Sequence, residues 1–418
     1  MPPIRRCTHP SSPLLISSFS SFSPRGQPAP SLALPPDRSI LDGLTVPTPI
    51  KILSVPDIEH CAASIGIKNM QYIGSYNWTN DEEPTIVIPG SPREWTNRPL
   101  PFTLYPDNGL RFVDENEHRM PDSPLLPLVI AADAVGAAVD WPHIDVLTDC
   151  NGLLKLVSWI DKGAKAPDFR IDVELAGERT LLMNRWEPNT RKQAGNGRSF
   201  GFGYEEATTT YQRGCERSAG HYRIIKYDFY DLRMVVRYHV DACLSPALRA
   251  GVGSGGDGQD QTSTAPESMS MRPTHTPTTI TNTLKILHAG REVPQSSIIE
   301  LASRSQKNIR KIDCINLFPQ LYLSQTSLLY TGLHRYGEFY EIRKRDVADD
   351  SQMKEQYQAT EGMFQGLSQL LREIRGFMVT DGGKRLSLVC EAGTLKVFER
   401  AATKSCLPDT ILECFSTV

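Results

Sequence analysis

Three acidic side chains and one imidazole carry most of the chemistry this sequence can offer. Residues 232–241 read LRMVVRYHVD, and the alternation has a period of two. Leu232, Met234, Val236, Tyr238 and Val240 fall on one side, and Arg233, Arg237, His239 and Asp241 fall on the other, interrupted only by Val235. That pattern predicts a strand with one face on a core and the other turned to water or a ligand. His239 and Asp241, two residues apart, share that polar face and form a metal-ligand pair. Residues 297–303, SIIELAS, predict a second short strand with Ile298, Glu300 and Ala302 on one face. Strands that each aim an acid off a sheet are one way metal-dependent nucleases hold their ions. The plainer alternative is a pair of ordinary strands with solvated faces, in which His239 is a hydrogen-bonded sheet histidine. Upstream, Gly201-Phe202-Gly203-Tyr204-Glu205-Glu206 supplies a glycine-rich entry followed by acids. A bulge or turn uses the same glycines.

The elements that must position these residues are strands and helices intermixed, with hairpins dominating. Residues 169–186 read as a hairpin, FRIDVELA and TLLMNRW, turning at Gly177-Glu178. Residues 221–229 and 232–243 form a second. Residues 143–148 predict a strand, and residues 151–160 the helix after it, capped by Asp149 or Asn151. Strands are expected over 279–287, 327–334, 338–343, 386–389 and 394–398, and helices over 309–325 and 351–375. Residues 50–124 are dense in Pro, Gly and Asn, which predicts short strands and long ordered loops. The fold class is therefore α+β, with a mixed, largely antiparallel central sheet flanked by helices.

Around that core the composition marks out the rest. Residues 1–40 are rich in Ser and Pro and carry no acid before Asp37, as a disordered tail would. An Arg- and Ser-rich, acid-poor stretch also suits a mitochondrial presequence, although its prolines oppose the amphipathic helix such a signal uses. Residues 41–400 form the expected single domain, 245–278 a flexible insertion within it (GVGSGGDGQDQTSTAPES), and 401–418 a tail. Of the 418 residues, acids outnumber bases by three, which argues against generic electrostatic binding to nucleic acid and leaves room for a local basic groove. The nine cysteines are scattered, without a CxxC pair, as in an intracellular protein, nuclear or cytoplasmic, with reduced thiols. No apolar run reaches membrane length; the best, residues 125–139, contains Asp133 and predicts a buried helix. Trp78, Trp95, Trp141, Trp159 and Trp186 are expected as core or loop anchors, not as base-stacking platforms.

The order of these motifs resembles a known family. GFG followed by an acid, x-x-D on a strand, E-x-x on the next, a helix with PQ and Gln325, and a strand reading LLYTGLHRYGEF resemble the eukaryotic decapping exoribonucleases. These DXO and Rai nucleases are a branch of the PD-(D/E)xK type. Segments such as WTNRPLPFTLYPDNGLRF and GHYRIIKY resemble more closely a set of fungal proteins, some of which bear a geranylgeranyl diphosphate synthase name. Prenyl synthases resemble helical bundles with two DDxxD motifs, whereas the adjacent aspartates here, Asp349-Asp350, are followed by SQM.

The resemblance implies a PD-(D/E)xK nuclease-like fold and a cofactor of Mg²⁺ or Mn²⁺. It makes Glu205 (or Glu206), Asp241 and Glu300 catalytic, the same three with His239 metal-binding, and Gln320, Gln325, Arg185 and Arg237 contacts to substrate. Two departures stand out: His239 replaces a glutamate and Ala302 replaces the lysine that orients the attacking water. Imidazole suits Mn²⁺ better than Mg²⁺, and loss of one charge-stabilising group commonly costs on the order of 10²–10³ in rate. Arg237, Arg304 and Lys226 are the nearest bases by sequence. Three readings stay open. One is a metal-dependent nuclease acting on RNA 5′ ends. A second is an inactive relative that binds RNA or a protein partner. The third is an unrelated α+β protein in which Asp241 and Glu300 lie far apart.

Overall fold

The strand Leu232–Val240 lies in the middle of the larger of two mixed sheets. The structure is a computed structural model that describes residues 34–57, 66–135, 138–194, 199–252, 278–281, 283–307, 314–380 and 384–417. It divides into a unit of residues Met1–Pro35, almost wholly outside the described residues, and a unit of residues Pro36–Val418. The expected N-terminal tail and most of the expected insertion over 245–278 therefore lie outside the described residues.

Leu232–Val240 pairs antiparallel with Ser218–Phe229, as the hairpin reading requires, and parallel with Val146–Asp149. Val146–Asp149 in turn runs parallel to Thr180–Trp186, the second arm of the Phe169–Ala176 hairpin. Both hairpins were legible from alternation and turn residues, and Gly177 adopts a positive φ of 57° at the first turn. The predicted helices form at Leu126–Ala134, Cys150–Lys162, Cys314–Leu323 and Ser351–Thr380. The first covers one face of the sheet, and the other three pack together on the opposite face. The result is the α+β architecture of a large mixed sheet with flanking helices.

Covering both faces changes the expected polar side of Leu232–Val240. Val235 and Arg237 are buried there, and only Arg233 and His239 reach the surface. Arg237 is 1 % exposed. It binds both carboxylate oxygens of Asp149, at 2.6 and 2.8 Å, and donates to Tyr76 Oη and the Pro124 carbonyl. The same contact removes Asp149 from its expected capping work. It occupies the cap position of the helix Cys150–Lys162 but makes no capping hydrogen bond.

Three other expectations are corrected. Residues 67–79, placed among short strands and loops, form a thirteen-residue strand, Ile67–Thr79. Its last seven residues are buried on both faces, so Ser75, Asn77 and Thr79 carry no amphipathic signal and are satisfied inside. Asn77, for example, donates to the Ser91 carbonyl and to Ser218 Oγ. Residues 279–287, read as one strand, belong to two antiparallel strands, Thr278–Thr281 and Leu284–Gly290. At the C-terminus, where a tail was expected, Cys406, Leu407 and Phe415 are buried in the core under the helix Leu126–Ala134. Among the described residues no helix is long and apolar enough to cross a membrane.

The smaller sheet is built on Ile298–Ser305, which runs parallel to Leu328–Arg335; that strand pairs antiparallel with Glu338–Asp346. The chain passes between the sheets at one point. Val240 ends its strand in the large sheet, and Ala242–Cys243 pairs with Ile299 and Ile298 in the small one. Asp241 is the residue between them.

Candidate functional site

A cleft of about 690 Å³ opens at this crossover. His239, Asp241, Glu205 and Gln320 line it. Asp241 Oδ2 accepts from the backbone N–H of Leu301 at 2.9 Å, which fixes the crossover against the neighbouring strand. Glu300, one residue earlier, accepts from Gln320 Nε2 at 2.8 Å. The helix Cys314–Leu323 supplies Gln320 and is held on the sheet by Phe318 and Leu321. Alternation along Ile298–Ser305 is as predicted: Ile298 and Ala302 join the core under the long helix, while Ile299 and Leu301 join the core of the smaller sheet.

Glu205 reaches the cleft from the helix Gly201–Thr208. The glycine-rich segment is thus neither a bulge nor a phosphate cradle but the first turn of a helix. Its N–H groups at Phe202 and Gly203 are taken by the Asp107 carboxylate, at 3.3 and 2.9 Å. Tyr204 fastens this helix to the smaller sheet. Its ring is fully buried and stacks on Phe339 with centroids 5.1 Å apart. Gly332 makes room for it, because a Cβ there would stand 2.5 Å from the Tyr204 ring. Glu205 follows next in the chain and is turned to the acids.

The electrostatics join the three carboxylates into one cluster. Burial, then the charges of Asp241 and Asp107, hold the Glu205 carboxyl well above the usual range, while Arg93 and Arg111 pull it down. Burial, then Asp241 and Glu205, raise Glu300 likewise, against the hydrogen bond from Gln320. His239 Nδ1 stands 3.3 Å from Asp241 Oδ1, and 46 % of its side chain is reached from the cleft. The protein around it works against its charged form, but the hydrogen bond and charge of Asp241, with the charge of Glu115, prevail and raise its pKa. Gly220 allows that approach: a Cβ there would meet Glu115 Oε2 at 2.9 Å and His239 Nε2 at 3.3 Å. As the side chains stand, no three His, Cys, Asp or Glu groups among the described residues converge so as to hold a metal ion. Glu300 turns to Gln320, while Asp241 turns to Leu301 and His239.

The remaining predicted contacts divide. Arg185 lines the opposite end of the cleft, bound to Glu187 at 2.7 Å and facing Asp114 at 3.9 Å. Arg237 is committed to Asp149, as above. The Gln325 amide turns back to the Tyr322 carbonyl at 2.6 Å. Of the bases nearest by sequence, Arg237 is held by Asp149 and Arg304 donates to its neighbour's carbonyl. The bases that do reach Glu205 are Arg93 and Arg111. They come from the Pro- and Gly-dense region where periodicity gave no reading. Glu115, on a five-residue helix, was missed for the same reason.

Residues 50–415 match the family described as Domain of unknown function (DUF8563). The chain belongs to that family. No match was found among curated proteins. Solved structures share its fold. The Rai1 of S. pombe, in complex with 3′-FADP, aligns with a TM-score of 0.54 at 11 % identity, covering 84 % of this chain and 99 % of that one. Scheffersomyces stipitis Rai1 aligns at 0.53 and 8 %, covering 87 % and 97 %. Candida albicans Rai1, in complex with pU5 and Mn²⁺, aligns at 0.51 and 9 %, covering 87 % and 99 %. The resemblance to the Rai nucleases thus holds at the level of the fold, and this DUF8563 member has a nuclease-like architecture.

Proposed function

We propose that this protein binds the 5′ end of RNA through a divalent cation, Mn²⁺ or Mg²⁺, and hydrolyses it slowly. The observation that carries this reading is the electrostatic coupling of Glu205, Asp241 and Glu300 near the sheet crossover, with Arg93 and Arg111 acting on Glu205. Carboxylates placed so that the charge of Asp241 raises the proton affinity of both Glu205 and Glu300 are a hard-oxygen donor set suited to a divalent cation. Glu205, Asp241 and Glu300 would hold the cation, with His239 favouring Mn²⁺. Bound there, the ion would polarise a phosphate and supply hydroxide near neutral pH.

This chain's own groups then have defined work. The Leu301 N–H and the Gln320 amide orient two of the carboxylates. Arg93 and Arg111, which line the cleft and act on Glu205, offer the positive charge that a lysine at Ala302 would have given. The pU5 and Mn²⁺ bound by the Candida albicans neighbour support this ligand class. The reading with no relation to nucleases required Asp241 and Glu300 far apart, and Asp241 instead bonds the residue after Glu300. Ala302, buried among apolar side chains, favours a second reading in which the cleft binds RNA without cutting it.

Calorimetric titration with Mn²⁺ of the wild type and of an Asp241→Ala, Glu300→Ala double variant, followed by a 5′-monophosphate RNA, separates these. Binding lost in the variant together with RNA loss in the wild type is the expected result. Binding without RNA loss selects the non-cutting form, and no specific Mn²⁺ binding by the wild type sinks the hydrolytic reading and leaves the acids without a catalytic role.

A further inference from the structure

The cleft's mouth carries an arrangement that the acids do not use. Phe202 and Tyr211 both line it and are 36 % and 39 % exposed, large values for aromatic rings beside a binding cleft. Each has a guanidinium on one face. Arg111 lies 4.8 Å from the Phe202 centroid, and Arg93 lies 4.2 Å from that of Tyr211. Among the described residues, the Nε of each arginine is buried without a hydrogen-bond partner. Both arginines also act on Glu205, so the two ring–guanidinium pairs flank the acid cluster. Phe202 and Glu205 sit three apart on the helix Gly201–Thr208, a spacing that puts them on neighbouring positions of one side. The tryptophans are unavailable for such work: all five are buried. The more exposed Tyr105 and Tyr336 lie outside the cleft lining.

Resting on the reading of the acids as a phosphodiester site, we propose that Phe202 and Tyr211 are stacking platforms for the unpaired bases of a single-stranded nucleic acid. Arg111 and Arg93 back the rings and bring their positive charge to its phosphates. A base accepts stacking whatever its identity, because every base has a π-face, so the platform selects single strands over duplexes and not one sequence over another. Charge complementarity favours this occupant: two guanidinium charges beside exposed rings suit an anionic, aromatic polymer better than an apolar peptide.

The test uses the full chain and fluorescence anisotropy in Ca²⁺, a hard cation that carboxylates bind. The probes are a 5′-phosphorylated five-nucleotide oligouridine, the same oligomer without bases, and its deoxy counterpart. Phe202→Leu and Tyr211→Leu are each expected to weaken oligouridine binding about tenfold, the scale of one lost base stack. Binding of the abasic oligomer stays unchanged in both variants. Phe202→Tyr and Tyr211→Phe, which keep a ring, retain wild-type affinity, so a loss from misfolding is told apart from a loss of stacking. Equal losses on the abasic oligomer, or none on oligouridine, would overturn the platform while leaving the acid site standing. No binding of any oligomer by the wild type would overturn both. Losses on the ribose and deoxyribose oligomers alike support the platform, and the wild-type preference between them tells RNA from single-stranded DNA.

Discussion

Asp241 and Leu301 are joined by a 2.9 Å hydrogen bond from backbone N–H to carboxylate, across the point where the chain changes sheets. That bond sets the spacing between Asp241 and Glu300, since Leu301 is the next residue along. Replacing Asp241 by Asn keeps an oxygen for Leu301 and removes one charge. Mn²⁺ binding should then weaken at least tenfold, with the fold retained.

The sign of the metal-free pH effect follows from the raised carboxyls. Glu205 and Glu300 bind protons more tightly folded than unfolded. Their contribution to stability is full below the unfolded pKa of about 4.3 and is lost as pH rises through the higher folded values. Without metal, Asp241→Asn should therefore lose less stability than the wild type between acid and neutral pH. Thermal melts across that range check it; a steeper loss in the variant would show that Asp241 does not act on its neighbours.

Gly332 tests how Glu205 is placed. A methyl group at Gly332 would stand 2.5 Å from the Tyr204 ring and 2.8 Å from Phe339. Both rings are buried, so neither can yield cheaply. Gly332→Ala is expected to cost about 1–3 kcal/mol and to cut metal-dependent activity by more than the melting shift accounts for. A stable variant with full activity would mean that Tyr204 does not set the position of Glu205.

How far these positions were legible depends on periodicity. Glu300 stands on a strand whose alternation survives in the fold, Asp241 comes directly after one, and Glu205 follows a glycine pair that opens a helix. The polar face of Leu232–Val240 misled, because Arg237 is a buried partner for Asp149 and not an exposed base. Alternation reports polarity, and a paired buried charge has the same polarity as a solvated one. Arg93 precedes a two-residue strand, Arg111 lies on a three-residue one and Glu115 opens a five-residue helix, elements whose positions come from long-range contacts that local spacing does not encode. Ile67–Thr79 was lost for a related reason: a strand buried on both faces with polar residues inside has no alternation to read.

Ala302 decides between cutting and binding. It lies on the face of Glu300, opposite Thr331 in the ladder, and among the residues of the larger core. A lysine there would have to bury its stem and extend its amine along the strand toward Glu300, at an overpacking cost of about 1–3 kcal/mol. Ala302→Lys is expected to lower the melting temperature and to raise RNA hydrolysis by about tenfold or more, within the 10²–10³ that one such group commonly supplies. An unchanged rate in a folded variant would show that Arg93 and Arg111 already meet the need, or that no hydrolysis occurs to be improved; the wild-type rate tells these apart.

Away from the acids, Glu117 gives a separate pH test. Its Oε1 accepts from Arg38 at 2.6 Å, while among the described residues its Oε2 is buried without a partner. Burial raises its pKa to about 7, with Arg38 opposing and Asp114 adding to the rise. A carboxyl whose folded pKa lies above its unfolded value stabilises fully below the unfolded value, about 4.3, and loses that contribution as pH climbs through 7. Glu117→Gln keeps an acceptor for Arg38 and cannot ionise. The variant should match the wild type near pH 4 and exceed it at pH 8, by about 3–4 kcal/mol at most, since each tenfold gain in proton affinity on folding is worth about 1.4 kcal/mol. Urea unfolding at the two pH values measures the difference. An equal difference at both would mean that Glu117 ionises as freely in the folded protein as in the unfolded chain.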